Sequence, residues 1–343
     1  MQHRITKPSK LLNKQGELIQ KGYATAPILR YRRRDVKKNL RLKEWDYYLI
    51  YNDDYGVAIT VGKSMFAGII SATIIDLKNK KEKTKTAIVF FKISELNMPE
   101  SSKRGDIIYH SKQVDLSFRQ VEGTRKLNMK IKSCVNGADF VAAIILSEEP
   151  KDSMVIATPF AEDNKAFYYN QKIIGMRASG GVAIGDKIYD FSPDTSFGLL
   201  DWGRGVWPYN TTWYWSAAQG IVNDKIFGFN LGYGFGDTTA ATENMIFYDG
   251  KANKIKEVYF MIPKYKLGEP DYMKPWIITS SDHRIEMDFI PIFDRSLNLS
   301  LLVISTNQHQ VFGKFTGTAV LDDNTIIYVK DFMGFAERVE NKW

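Results

Sequence analysis

Leu127-Asn128-Met129-Lys130-Ile131-Lys132-Ser133-Cys134-Val135-Asn136-Gly137-Ala138-Asp139-Phe140-Val141-Ala142-Ala143-Ile144-Ile145-Leu146 alternates apolar and polar side chains on both sides of an Asn-Gly pair. A period of two is the spacing of a strand whose faces differ. Asn-Gly tolerates the two left-handed residues of a tight primed turn, so the segment predicts a β-hairpin. The same signature extends outward. Tyr47 to Tyr51, Val57 to Val61, Thr86 to Ile93, Asp106 to Phe118 and Phe167 to Ile174 read as strands in the first half. In the second half Thr212 to Ala218, Lys225 to Leu231, Glu243 to Tyr248, Glu257 to Ile262, Trp276 to Thr279, Ile285 to Phe289, Leu297 to Ile304, Val311 to Val320 and Thr325 to Val329 do the same. A further hairpin is expected with Gly185-Asp186 at its tip. Arg32 to Glu44 is the only helical candidate, short and mostly basic, with Val36 and Leu40 four apart.

A chain of 343 residues built this way is all-β with very little helix. So many short strands must protect their edges, which sandwiches, propellers and closed barrels do. No repeat of blade length is present, which argues against a propeller. Two successive antiparallel up-and-down barrels, or strongly curved sheets, fit the length. The expected division is residues 1–200, with a basic N-terminal segment, and 201–343.

Charge is unevenly placed. Of 47 basic and 39 acidic side chains, 13 and 4 fall in residues 1–50, so the whole positive excess is N-terminal. The run Arg30, Arg32, Arg33, Arg34, Lys37, Lys38, Arg41 and Lys43 reads either as a solvated face or as a contact for phosphates or an anionic surface. Cys134 has no partner for an internal disulfide, and the four histidines are too far apart for a close-spaced metal motif. No apolar run approaches the roughly 20 residues that span a bilayer, and no secretory apolar segment opens the chain. A cytoplasmic protein without metal, cofactor, transmembrane segment or nucleic-acid partner is expected.

Trp202, Trp207, Trp213 and Trp215 lie within fourteen residues of the most charge-poor part of the chain. Each indole hides roughly 150–250 Å², so together they represent on the order of 15–25 kcal/mol of burial at most. On a strand, Trp213 and Trp215 share one face and Tyr214 takes the other. The two indoles either fill a barrel or form a pocket wall that shelters a developing cation. Asp201, between Leu200 and Trp202, needs a donor or a cation if buried. It either braces the turn in an ion pair with Arg204 or serves as a general acid or base. Glu243, in Thr242-Glu243-Asn244, is the candidate second carboxylate.

Lys43-Glu44-Trp45-Asp46-Tyr47-Tyr48, Leu200-Asp201-Trp202-Gly203-Arg204-Gly205-Val206-Trp207-Pro208, Thr242-Glu243-Asn244, Gln310-Val311-Phe312-Gly313-Lys314-Phe315-Thr316-Gly317 and Gly334-Phe335-Ala336-Glu337 resemble the bacterial domain-of-unknown-function 2804 family over nearly the whole chain. A looser resemblance, carried by Gly180 to Tyr189, Asp201, Gly205, Trp213 and Trp215, runs to carotenoid hydratases and AttH-like proteins. In those relatives a histidine often follows the aspartate; here Trp202 stands there. The resemblance implies two lipocalin-like, calycin-type barrels and an isoprenoid, lipid or polyketide-like ligand.

The expected function is therefore binding of a hydrophobic small molecule in a barrel cavity near the junction, with cofactor-free hydration, cyclisation or isomerisation as the chemistry. Asp201 would be the acid. Trp213 and Trp215 would line the site, with Trp202, Trp207, Tyr214 and Tyr248 around them. A non-catalytic carrier or sensor of the same ligand, and an anionic-surface or nucleic-acid protein acting through Arg30 to Lys43, are the alternatives.

Overall fold

A computed structural model describes residues 2–90, 95–301 and 304–342. The chain is all-β, with two curled antiparallel half-barrel sheets of lipocalin-like type. The main path of the first sheet runs, from edge to edge, through Lys81–Val89, Gly68–Asp76, Tyr55–Lys63, Leu42–Tyr51, Phe197–Val206, Asp163–Ile184, Ala138–Ser147, Thr124–Val135, Val114–Val121 and Ile107–His110. The second runs through Lys251–Lys254, Met245–Tyr248, Lys225–Tyr233, Asn210–Val222, Ile326–Lys342, Ile304–Val320, Ile285–Leu301, Trp276–Ser280 and Val258–Met261. Most neighbouring pairs are consecutive in sequence, the economical topology for hairpin-linked strands, but the centre of each sheet is closed by distant ones: Leu42–Tyr51 pairs with Phe197–Val206, and Asn210–Val222 with Ile326–Lys342.

The hairpin at Asn136-Gly137 forms as its sequence requires. Val135 pairs with Ala138, and both turn residues have positive φ, 49° and 82°. Ile184 pairs with Lys187 around Gly185-Asp186. The expected strand ends at Phe91 to Ile93, and Leu302 and Val303 within Leu297 to Ile304, lie outside the described residues. Arg32 to Glu44 is not an α-helix. It contains two 3-10 turns, Arg33–Asp35 and Asn39–Arg41, and the strand begins at Leu42. A single apolar pair gave that segment too little to bury as a helix.

The sheets change over at residues 207–209. Strand Phe197–Val206 therefore runs across position 200 and belongs wholly to the first sheet, while Asn210 opens the second. The N-terminal segment laces both together: Gly22–Ala24 pairs with Met154–Phe160, and the Gln2 amide Oε1 accepts from the Thr242 backbone N–H at 2.7 Å. The basic run is largely tied into the fold. Arg33 donates to Glu44 at 2.8 Å, Lys38 pairs with Asp163, and Arg41 donates to the Trp207 carbonyl at 2.6 Å. Burial lowers the Lys43 ammonium to about 6, with Arg41 adding to the effect.

The second sheet buries both faces of its central strands, while strands such as Val258–Met261 and Trp276–Ser280 leave their outer face exposed. Phe227, Phe229, Trp276, Phe289 and Phe315 fill its own hollow. On the other face Trp215, Ala217, Phe312 and Phe335 pack with residues of the first sheet. Two glycines make this geometry possible. Gly175, at φ +88°, lies in the register shift that bends the 22-residue strand Asp163–Ile184. Gly203 lies directly beneath the Trp45 ring, with no room for a β-carbon. Gly203→Ala should cost about 2–3 kcal/mol, the range for overpacking a closed core, measured by urea denaturation.

Candidate functional site

Alternation decides which side chains meet between the sheets. On Phe197–Val206, Asp201, Gly203 and Gly205 face the second sheet, whereas Trp202 and Arg204 face the hollow of the first. Residues three apart on a strand cannot share a face. The Asp201–Arg204 ion pair considered from sequence is thus absent: Arg204 Nη2 bonds Asp46 Oδ1 at 3.0 Å and its Nε stands 3.6 Å from Glu44. Its guanidinium also lies 4.1 Å from the Trp202 ring centroid.

Asp201 instead meets Lys172 of the neighbouring strand. The Lys172 ammonium is 3.1 Å from Asp201 Oδ2, with 1% of the lysine side chain and 11% of the aspartate side chain exposed. Asn170 donates to Asp201 Oδ1 at 2.6 Å. Lys172 is the register partner of Asp201, so the ladder itself brings the pair together. The same ammonium lies 4.0 Å from the centre of the Trp215 ring and 5.8 Å from that of Phe235. It occupies the indole face that sequence reasoning reserved for a substrate cation.

Two further carboxyls face this ammonium. Glu243 Oε2 accepts from the Tyr168 hydroxyl at 3.1 Å, and its Oε1 accepts from Asn230 Nδ2 at 3.2 Å. Glu337 accepts from Trp213 Nε1 and from Gln310 Nε2, both at 3.1 Å. Burial pushes Glu243 upward against the pull of Lys172. Burial pushes Glu337 up to about 7, with Trp213 and Lys172 opposing and Asp201 adding to the rise. Tyr168 is held well above 10.0 by burial and by Glu243. The junction thus gathers three carboxyls around one buried lysine. One of the three, Glu337, exchanges its proton near neutrality, where acid–base catalysis needs it.

The residues expected from sequence divide three ways. Asp201, Glu243, Trp207, Trp213 and Trp215 come together at the junction. Trp202 lies inside the first sheet beside Tyr31 and Tyr169. Tyr214 and Tyr248 face the hollow of the second sheet. The indoles do not line the inside of a barrel, because their shared face is the one turned to the first sheet. They form a packed aromatic layer: Trp213 lies against Trp207 with ring centroids 5.5 Å apart, and Trp215 lies against Phe335 at 4.8 Å and Tyr47 at 6.0 Å. Trp45, Tyr47 and Trp213 stay half-exposed along the edge of this layer. A half-open cavity of about 440 Å³ opens on the opposite face of Ile304–Val320 and Ile326–Lys342, the strands that carry Gln310 and Glu337.

Sequence reasoning missed Lys172, Asn170, Tyr168, Gln310 and Glu337. Two of them, Gln310 and Glu337, stood in the segments quoted for the family resemblance, where no role was assigned to either. Two buried polar atoms at the junction, Asn170 Oδ1 and Trp207 Nε1, have no hydrogen-bond partner. Among the described residues, no group of three or more His, Cys, Asp and Glu side chains is placed to share a metal ion, and no helix is long and apolar enough to cross a membrane.

No curated protein matches the chain in sequence. Its fold is similar to that of an AttH-like protein of Nitrosomonas europaea, with a TM-score of 0.56 and 13% identity over 89% of this chain and 93% of that one. It is also similar to kievitone hydratase of Nectria haematococca, with a TM-score of 0.50 and 10% identity over 92% and 93%. Both likenesses are of fold. The sequence match is specific: residues 2–343 fit the family described as domain of unknown function 2804, DUF2804, and the chain belongs to that family.

Proposed function

We propose that a hydrophobic small molecule binds along the edge of the inter-sheet junction, against the half-exposed Trp45, Tyr47 and Trp213, and that the junction protonates one of its carbon–carbon double bonds without a cofactor, leading to hydration, cyclisation or isomerisation. The observation that carries this reading is the buried Glu337 carboxyl, pushed up to about 7 and held by an indole N–H beside the Lys172–Asp201 pair. A carboxyl that is neutral near pH 7 in an apolar setting is a competent general acid. Asp201, paired with the lysine, is better suited to receive the proton back or to balance a developing cation than to donate first, which moves the acid role expected of Asp201 to Glu337. Glu243 is the weaker participant, since Tyr168 and Asn230 already hold it. With the Trp215 face taken by Lys172, the half-exposed Trp213 is the indole left to shelter positive charge. The fold shared with a kievitone hydratase is consistent with addition of water.

The test uses farnesol, an isoprenoid alcohol with isolated trisubstituted double bonds, in deuterated water. Binding is followed by tryptophan fluorescence and products by mass spectrometry. Deuterium fixed on carbon, with or without the gain of one water, is the expected result. Glu337→Gln should slow it about 100-fold while leaving farnesol affinity within a few-fold. Farnesol bound but unlabelled by the wild-type protein would reduce the site to a carrier, and absence of binding would overturn the reading altogether.

A further inference from the structure

We propose that the mouth of the second sheet is a second small-molecule site, in which His309 takes a proton from a small enolisable carbonyl compound. Three strands that carry junction residues, Asn210–Val222, Ile304–Val320 and Ile326–Lys342, together with their neighbour Ile285–Leu301, present a different row on their other face. Tyr214 is the register partner of Arg338, and Arg338 is the partner of His309, while Asp294 lies one diagonal step further. Direct partners hold their β-carbons about 5 Å apart, so the row is fixed by the ladder rather than by a loop. Arg338, His309 and Asp294 of this row border the half-open cavity of about 440 Å³, which Tyr265, Tyr272 and Met273 also line. That volume is within the range of small-molecule sites.

The chemistry follows from the hydrogen bonds. His309 Nδ1 stands 2.7 Å from Asp294 Oδ2, and the ring lies flat on Tyr272, with centroids 3.9 Å apart and planes 14° from parallel. A carboxylate on Nδ1 fixes the tautomer in which that nitrogen carries the proton, leaving the Nε2 lone pair as a base. Nε2 makes no hydrogen bond among the described residues. Facing it across the ladder, Arg338 donates Nε–H to the Tyr214 hydroxyl at 3.0 Å and Nη1–H to the Tyr272 hydroxyl at 3.1 Å, and pairs with Glu340. Two of its five N–H groups remain, and each tyrosine still has its own hydroxyl hydrogen to donate. Base and donors therefore border one cavity. In the reaction a C–H bond next to a carbonyl breaks and its proton passes to Nε2. The electron pair moves into the enolate, whose oxygen Arg338 and Tyr272 hold. Return of the proton to the same carbon gives exchange; where that carbon carries a hydroxyl, passage of the hydroxyl proton to the enolate oxygen and return of the first proton to the former carbonyl carbon gives isomerisation, with no other reactant.

The fixed charges disfavour an anionic ligand: Arg338 is offset by Glu340 and Asp271 by Lys274 at 3.4 Å, while Glu269 and Asp294 leave the rim negative. No part of this site belongs to the Glu337 face, so it stands or falls independently of the junction.

The experiment follows loss of the C–H signal of dihydroxyacetone by proton NMR in deuterated water with the full chain. Wild-type protein should accelerate exchange above buffer. His309→Ala should lower the enzymic rate about 100-fold, and free imidazole should restore part of it, which a purely structural histidine would not allow. His283→Gln, on an exposed turn, should exchange like wild type. Exchange at the buffer rate with wild-type protein, or full activity in the folded His309→Ala protein, would overturn the proposal.

Discussion

The Arg204→Ala protein is expected to lose about 3–5 kcal/mol of stability at pH 7, the range for stripping one partner from a buried ion pair. Arg204 is fully buried and holds five groups at once. Its Nη atoms donate to Asp46 at 3.0 Å and to the carbonyls of Trp45, Gly203 and Pro99 at 2.7–2.8 Å, and its Nε faces Glu44. Glu44 would keep the Tyr31 hydroxyl and Arg33, at 2.9 and 2.8 Å. Asp46 would lose its direct ion partner. Burial already raises the Asp46 carboxyl above 3.8, with Arg204 holding it down, so the variant lifts it further. A raised carboxyl stabilises the fold below its unfolded value and loses that contribution as pH rises through the folded one. The deficit relative to wild type should therefore grow from pH 5 to pH 8. Asp46→Asn in the Arg204→Ala background should recover part of it, because the amide carries no charge to strand. Urea denaturation of the three proteins across that pH range reads both effects, and a deficit below 1 kcal/mol with no pH dependence would refute this account of Arg204.

The strands were legible because most of them alternate, but burial was not legible from alternation. Tyr168-Tyr169-Asn170-Gln171-Lys172 does not alternate, and its three consecutive polar residues point to both faces of the strand. All five residues are buried, because the long strand has the first hollow on one side and the second sheet on the other. The same sandwiching hides Glu337 and Gln310. Parity was the signal available in sequence: applied to Asp201 and Arg204 it forbids their ion pair and sends them to different networks. Applied to Trp213 and Trp215 it joins them on one face, yet parity does not tell which of two buried faces that is. The quoted family segments converge on these networks. Glu44, Asp46 and Arg204 meet inside the first sheet, and Asp201, Glu243, Gln310 and Glu337 meet at the junction. Pairing between strands far apart in sequence brings them together, which local pattern does not encode.

Lys172→Met should be the most damaging change at the junction. It keeps the length of the side chain against Trp215 but removes the ammonium that faces Asp201 directly and lowers both Glu243 and Glu337. Three buried carboxyls would then lean only on neutral donors, and the expected loss is again about 3–5 kcal/mol near pH 7.5. The sign with pH is set by Glu337, whose folded value of about 7 already exceeds its ordinary 4.5. Between those values the folded protein binds the extra proton, so wild-type stability from this group falls as pH rises. Without Lys172 the folded value moves higher, the window widens upward, and the variant should approach wild type near pH 5 while falling behind above pH 7. Lys172→Met with Asp201→Asn removes the pair together and should regain stability relative to Lys172→Met alone. On the proposed chemistry, the alkaline limb of any turnover should move to higher pH as Glu337 retains its proton longer. A Lys172→Met protein whose stability parallels wild type from pH 5 to pH 8 would mean that the ammonium does not govern these carboxyls. The junction would then be a packing layer with polar atoms in it rather than a site poised for proton transfer.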